Sequence, residues 1–494
     1  MSAHITTAAT PSPAAPIRGW RRLFGDWLVV GSATAVCHFL GALTSLLLRM
    51  LLSPAQMGIF SALKLFISYG NYANLGISKG AAREFNVALG HGNTREARHG
   101  LNLAFTVNTI TSLLYAALLV GVAVWIAATG GGIWTGAWAL GLATVGTMAV
   151  LTRYVTFHIT ILRTSQAFAV TSRLSILEAV LTLLICGIAT WCWGLPGLLG
   201  GTVAVTLASL VYVRRHAAAS LRWAWDAPEI RRLVAIGGPI LLAGAASTLF
   251  RSLDKLMILA FMRDCEFQLG CYSVALLVTG QLFGLGNMLS MVAAPRYAEK
   301  YGRSGNRKAV ARLAARSSEL VAAAVALPAA LALVVAPPLL AWLLPDYGPG
   351  LPPMVWLVPG VLAMILTLPA SQYLVATGRQ HRAMVAVIAA TAVAAAGNFI
   401  AIRAGYGLIG VAAATAIGYT AYFLLVAAIS FGVELDALGQ LRYAAMLALL
   451  LGPTLAAALL LRNSWPNAVA VVCVWALCTA IAWHRGHWRN QLRT

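Results

Sequence analysis

Apolar runs of about twenty residues, broken by short polar punctuation, follow one another from Trp27 almost to the C-terminus. A helix needs roughly 20 apolar residues to cross a bilayer. Fourteen segments meet that length, near 27–51, 56–78, 101–128, 133–157, 170–192, 195–213, 233–261, 269–294, 317–344, 350–376, 383–402, 406–431, 442–461 and 465–483. The short alternating strands of a membrane β-barrel are not seen. Helices satisfy their own backbone groups in lipid, so the pattern predicts an all-α membrane protein of about 14 transmembrane helices.

Polar punctuation also repeats. Gly194-Leu195-Pro196-Gly197 after Trp193 returns as Gly407-Leu408-Ile409-Gly410 after Tyr406, an offset of 407 − 194 = 213. Gly92-Asn93-Thr94-Arg95 answers to Gly305-Asn306-Arg307-Lys308, and Thr164-Ser165 to Thr377-Gly378. Gly58-Ile59-Phe60-Ser61-Ala62 answers to Gly270-Cys271-Tyr272-Ser273-Val274 at 270 − 58 = 212. One spacing kept in one order predicts two six-helix lobes. Six crossings return the chain to its starting side, so the lobes form a parallel repeat about an axis along the membrane normal. The expected organisation is a disordered tail at 1–22, an N-lobe at 23–213 and a linker at 214–232. A C-lobe at 233–433 follows, then two extra helices and a tail at 434–494. The linker, with Trp223 and Trp225 among arginines, reads as a helix lying on the membrane surface.

Composition agrees: 60% of residues are hydrophobic and 10% charged, with mean hydropathy +0.80. The net charge of +21 would suit nucleic acid, but its distribution does not. With both termini inside, basic residues collect in the inner loops, and the outer loops hold only Arg263, Arg403 and Arg462. That is the charge bias of a multi-pass inner-membrane protein with cytoplasmic termini. The outer loops are also too short to build a water-facing catalytic site, so no catalytic residue is assigned. The seven cysteines lack metal-ligand spacing and read as packing residues, so no metal is expected. No GxxxxGK[ST] loop is present, and no cofactor is implied.

Ionisable residues at membrane depth are costly and mark functional sites by default. Arg251, Asp254 and Lys255 share one helical face at i, i+3 and i+4. Arg251 falls roughly 15 Å from the outer end of its helix and Lys64, in the other lobe, about 12 Å in. Either Asp254 closes a pair with Arg251, or the face keeps a net positive charge for an anion. Arg49 and Arg153 are either cavity cations or side chains reaching toward an interface. Glu178 is either a partner of Arg153 or a proton acceptor, and with Asp254 it forms the candidate ion-coupling pair. Tyr69, Asn71 and Asn74 form a polar stripe that would bind sugar or join helices. Arg49, Lys64, Arg153, Arg251, Lys255, Tyr69, Asn71 and Asn74 make up the candidate substrate-binding set. Arg forks and Lys point charges in a cavity select phosphate-like anions.

Leu51-Leu52-Ser53-Pro54-Ala55-Gln56-Met57-Gly58-Ile59-Phe60, Gly238-Pro239 with Asp254-Lys255-Leu256-Met257-Ile258, Leu269-Gly270-Cys271-Tyr272-Ser273-Val274-Ala275, Pro345-Asp346-Tyr347 and Tyr406-Gly407-Leu408-Ile409-Gly410 together resemble the polysaccharide transporter family. These are the Wzx-type flippases of lipid-linked oligosaccharides, within the multidrug, oligosaccharidyl-lipid and polysaccharide exporter superfamily. The resemblance covers the first twelve spans. It implies two lobes rocking around a central cavity. The implied cargo is an undecaprenyl-pyrophosphate-linked oligosaccharide, exported for O-antigen, capsule or exopolysaccharide synthesis. Membrane lipid, a polysaccharide polymerase and a chain-length regulator are the implied partners. Two alternatives stand beside this reading. One is a multidrug cation antiporter of the same superfamily, which would want acidic residues in its cavity. The other is a membrane polysaccharide polymerase or ligase, which would want a large outer loop.

Overall fold

The structure, a computed structural model, describes residues 20–460 and 469, except 91–92, 131–134, 165–166 and 217–221. The expected tail up to residue 19 and the fourteenth span lie outside the described residues. All regular structure within them is helical. In the N-lobe these helices are α1 (Trp20–Leu51), α2 (Pro54–Gly70), α3 (Ile77–Gly90), α4 (Thr94–Thr129), α5 (Thr135–Thr164), α6 (Phe168–Leu181) and α7 (Gly187–His216). The C-lobe has α8 (Ala227–Phe261), α9 (Cys265–Ser304), α10 (Arg307–Leu343), α11 (Leu351–Ala376), α12 (Gln380–Arg403) and α13 (Gly407–Ala427). A further helix, α14 (Ala437–Leu460), packs against α10.

Among the described residues, ten runs are long and apolar enough to cross a membrane. One of them, Ala169–His216, would measure about 72 Å as a straight rod at 1.5 Å per residue. It is instead two crossings, because Gly194 at φ 59° and ψ −136° turns the chain inside it. Gly407, 213 residues on, sits at φ 57°. Only glycine adopts such angles without strain, so the repeated glycine makes the same turn before the last helix of each lobe.

The other repeated positions also do matching work. Asn93 caps α4 by accepting the Glu96 N–H at 3.2 Å, and Asn306 caps α10 by accepting the Ala309 N–H at 3.2 Å. Gly58 and Gly270 meet where α2 crosses α9. A Cβ on Gly58 would fall 1.7 Å from the Glu266 carbonyl oxygen, and one on Gly270 would fall 1.7 Å from that of Pro54. The two contacts interconvert when 212 is added to one residue and taken from the other (58 + 212 = 270; 266 − 212 = 54). A two-fold axis relating the lobes therefore passes through this crossing. Backbones approach this closely in membranes only where side chains are small.

Two expectations need correction. The second span is not one helix: α2 ends at Gly70, and the chain turns through Asn71–Gly76, with Leu75 at φ 53° and Gly76 at φ 84°. The Asn74 carboxamide accepts the Gly76 N–H there at 3.1 Å. Within the linker, 214–216 finish α7 and 227–232 begin α8, and the described stretch between them, residues 222–226, is not helical. Its Arg222 and Ala224 N–H groups donate to Asn102 and Thr106 side chains on α4. Asp226 then caps α8 by accepting the Glu229 N–H. Trp223 and Trp225 remain exposed beside the helix ends at one face, while Trp125, Trp191, Trp193 and Trp342 are exposed toward the helix ends at the opposite face. These are the two levels where aromatic side chains anchor a membrane protein.

Candidate functional site

A cavity of about 550 Å³ lies between the lobes, walled by α1, α2, α8 and α9 with Val361 and Met364 of α11 and Tyr419 of α13. The walls are built on the repeat. Ser61, Lys64, Leu65 and Ser68 of α2 line it at i, i+3, i+4 and i+7, one face of a helix. Ser273, Leu276, Leu277 and Gly280 of α9 line it at the same positions plus 212. His38 of α1 and Arg251 of α8 also face it, and 251 − 38 = 213.

Four of the predicted cations come together here: Arg49, Lys64, Arg251 and Lys255. No carboxylate lines the cavity among the described residues. The four differ in their partners. The Lys64 ammonium lies 4.5 Å from the Phe60 ring centroid, and the Arg251 guanidinium 5.5 Å from that of Phe283. Neither has a carboxylate within ion-pair distance among the described residues, and both are exposed. Ten residues separate Arg251 from the end of α8 at Phe261, so it stands about 15 Å in from that end of the helix.

Asp254 turns away from the cavity. It is 1% exposed, and the Tyr272 hydroxyl donates to its Oδ2 at 3.0 Å. Lys255 Nζ donates to Oδ1 at 3.1 Å and to the Arg251 carbonyl at 2.9 Å. The carboxylate therefore pairs with Lys255, not with Arg251. Of the two readings that the i, i+3 spacing left open, the closed Arg251–Asp254 pair is not formed: Lys255 curls back along its own turn while Arg251 lines the cavity. Arg49 is 5% exposed, and all three of its guanidinium nitrogens donate to Ser45 or Ser273.

The remaining candidates lie outside the cavity lining. Arg153 donates to the backbone carbonyls of Gly70 and Asn71, which the end of α2 leaves without helical partners. Asn74 holds the α2–α3 turn. The Tyr69 hydroxyl meets Ser252 across the lobes, as Tyr72 meets Thr248 and the Gly244 carbonyl. The polar stripe thus joins α2 to α8. Glu178 faces Ser209 of α7 inside the N-lobe.

Several site residues carried no charge to betray them. Gln281, Thr279, Ser273 and Tyr419 line the cavity. The repeat held the available signal, since Ser273 stands 212 residues after Ser61. Glu319 on α10, 4% exposed, also escaped notice. No group of His, Cys, Asp or Glu suited to a metal occurs among the described residues.

The architecture is two lobes related by an internal two-fold and closed around a basic cavity. It is the fold of the multidrug, oligosaccharidyl-lipid and polysaccharide exporter superfamily. The lipid II flippase MurJ, in an inward closed conformation, superimposes with a TM-score of 0.67 at 13% identity, covering 93% of this chain and 99% of that one. An inward-facing multidrug resistance MATE family transporter matches with a TM-score of 0.64 at 13% identity, over 85% and 98% of the two chains. A superfamily transporter from Pyrococcus furiosus, described as having a binding pocket of reverse polarity, matches at 0.58 and 14% identity, over 85% and 96%. No curated protein matches by sequence. Residues 46–346 match the model of the polysaccharide biosynthesis protein family, and the chain belongs to that family.

Proposed function

We propose that this protein flips undecaprenyl-pyrophosphate-linked oligosaccharide repeat units from the inner to the outer leaflet of the cytoplasmic membrane by alternating access. The glycan would serve O-antigen, capsule or exopolysaccharide synthesis. The observation that carries this reading is the pair of cations, Lys64 and Arg251, that face one cavity from opposite lobes without a carboxylate partner among the described residues. An unpaired charge at this depth is costly, and an anionic cargo offsets that cost each time it binds. A diphosphate accepts the Arg251 fork bidentately and the Lys64 ammonium as a point charge. Lys255 joins them when it leaves Asp254. Serines, Thr279, Gln281 and Tyr419 supply hydrogen bonds to sugar hydroxyls.

Asp254, with Glu178, is the proposed coupling carboxylate, and both chain termini are placed on the cytoplasmic side. Lining without acid argues against a multidrug cation extruder. The test is glycan export in cells whose own copy is deleted. Arg251→Ala and Lys64→Ala are expected to abolish export while the protein still reaches the membrane. Export at the parent level by both variants refutes the diphosphate site.

A further inference from the structure

Family-like motifs that the cargo site does not use converge on one place, the outer end of the lobe interface. Ser53-Pro54-Ala55-Gln56 starts α2 with a reciprocal cap: Ser53 Oγ accepts the Gln56 N–H, and Gln56 Oε1 accepts the Ser53 N–H. That cap fixes the first turn, which carries Gly58 onto Gly270. Around the crossing, three side chains bridge the lobes. Tyr347 donates to the Leu52 carbonyl at 2.8 Å. Trp138 Nε1 donates to Glu266 Oε1 at 3.0 Å. Arg49 donates from Nε to Ser273 Oγ at 3.1 Å and from Nη2 to the Ser273 carbonyl at 2.8 Å.

We infer that these contacts form the outer gate of the carrier, and that Arg49 is its latch rather than a cargo ligand. Four of the five guanidinium N–H groups are held by protein oxygens, which leaves a single Nη2–H and no bidentate fork for phosphate. Two go to Ser45 Oγ and the Ser45 carbonyl on its own helix, both at 2.6 Å, and hold the side chain aimed at α9. The other two cross to the opposite lobe. They land on a residue one turn past the Gly58–Gly270 crossing, so the outer ends of α1 and α9 cannot part while the latch holds. Arg49 also sits at the outer wall of the cavity. It therefore separates the cavity from the outer side, and cargo cannot leave outward until it lets go of Ser273.

The test needs no cargo, so failure of the glycan reading leaves it intact. The seven cysteines are replaced and Ser61→Cys is added as reporter. Ser61 lies seven residues past Pro54, about 10 Å inside the outer end of α2. Its reaction with a membrane-impermeant maleimide is timed in right-side-out and in inverted membrane vesicles. Loss of charge-assisted bonds across the gate in Arg49→Ala is expected to speed labelling from the outer side about tenfold, with no gain from the inner side. Arg49→Lys, which keeps the charge but gathers its donors on one nitrogen, should give a smaller gain of the same sidedness. Trp138→Phe with Tyr347→Phe, which removes both donors and leaves an aromatic ring at each position, should add to it. Unchanged outer labelling in Arg49→Lys and in the Phe pair overturns the gate. Equal gains on both faces mean general loosening and overturn the latch.

Discussion

Gly270→Ala should force the outer ends of the lobes apart. The added methyl would stand 1.7 Å from the Pro54 carbonyl oxygen and 2.4 Å from its carbon, whereas ordinary contact begins near 3.4 Å. The gap is 3.4 − 1.7, so α2 and α9 must separate by about 1.7 Å at the crossing. Both obstructing atoms are backbone, so no side-chain rotation relieves the clash. Overpacking costs about 1–3 kcal/mol, and the cost falls only on conformations in which the helices touch. At about 2 kcal/mol the balance moves roughly 30-fold toward conformations with the outer ends apart. Spin labels at Thr129→Cys on α4 and Arg403→Cys on α12, both exposed near outer helix ends, report the change by pulsed electron resonance. The distance distribution should gain a longer component in Gly270→Ala. Gly280→Ala on the same helix is the control, because a methyl there meets nothing within 4 Å. An unchanged distribution together with an unchanged Tm in Gly270→Ala would refute the reasoning, since the methyl would then have found room.

Arg153→Ala strips the Asn71 carbonyl of its donor and leaves the Gly70 carbonyl only the Ala73 N–H, and should lower stability by about 1–3 kcal/mol. Thermal unfolding in detergent measures it, and Arg153→Lys should recover part. Arg379 and Glu434 form a 2.8 Å pair with side chains 12% and 11% exposed. Either Ala variant alone should cost about 3 kcal/mol, and the double variant less than the sum, because a lone charge is then no longer buried. Asp254→Asn and Glu178→Gln test coupling: export driven by an imposed proton gradient should slow in both, and an unaltered rate removes them from that role.

The helices were legible because their apolar lengths match a bilayer, and the lobes because Asn93 and Asn306, or Gly194 and Gly407, perform local tasks that fix the residue type. Charge told which residues were unusual but not where they point. Arg49, Arg153 and Arg251 look alike as lone arginines in apolar runs. One bridges to a serine 224 residues away, one caps a broken helix, and one faces the cavity. Those fates depend on crossings and on a helix break at Asn71, which no periodicity marks. Asp254 misled for the same reason. Helical spacing offered Arg251, while the buried Tyr272 hydroxyl that orients the carboxylate comes from the next helix.

The matched faces of α2 and α9 bear on ancestry. In a dimer of half-length chains, the glycine at this crossing would have met its own copy, and any lysine at the position of Lys64 would have faced a second lysine. Joining the halves in one chain released that constraint, and the counterpart is now Leu276. The crossing stayed glycine on both sides because each copy still meets the other's backbone. The seam between the lobes thus keeps the record of self-association, while the walls of the cavity show which half was free to change.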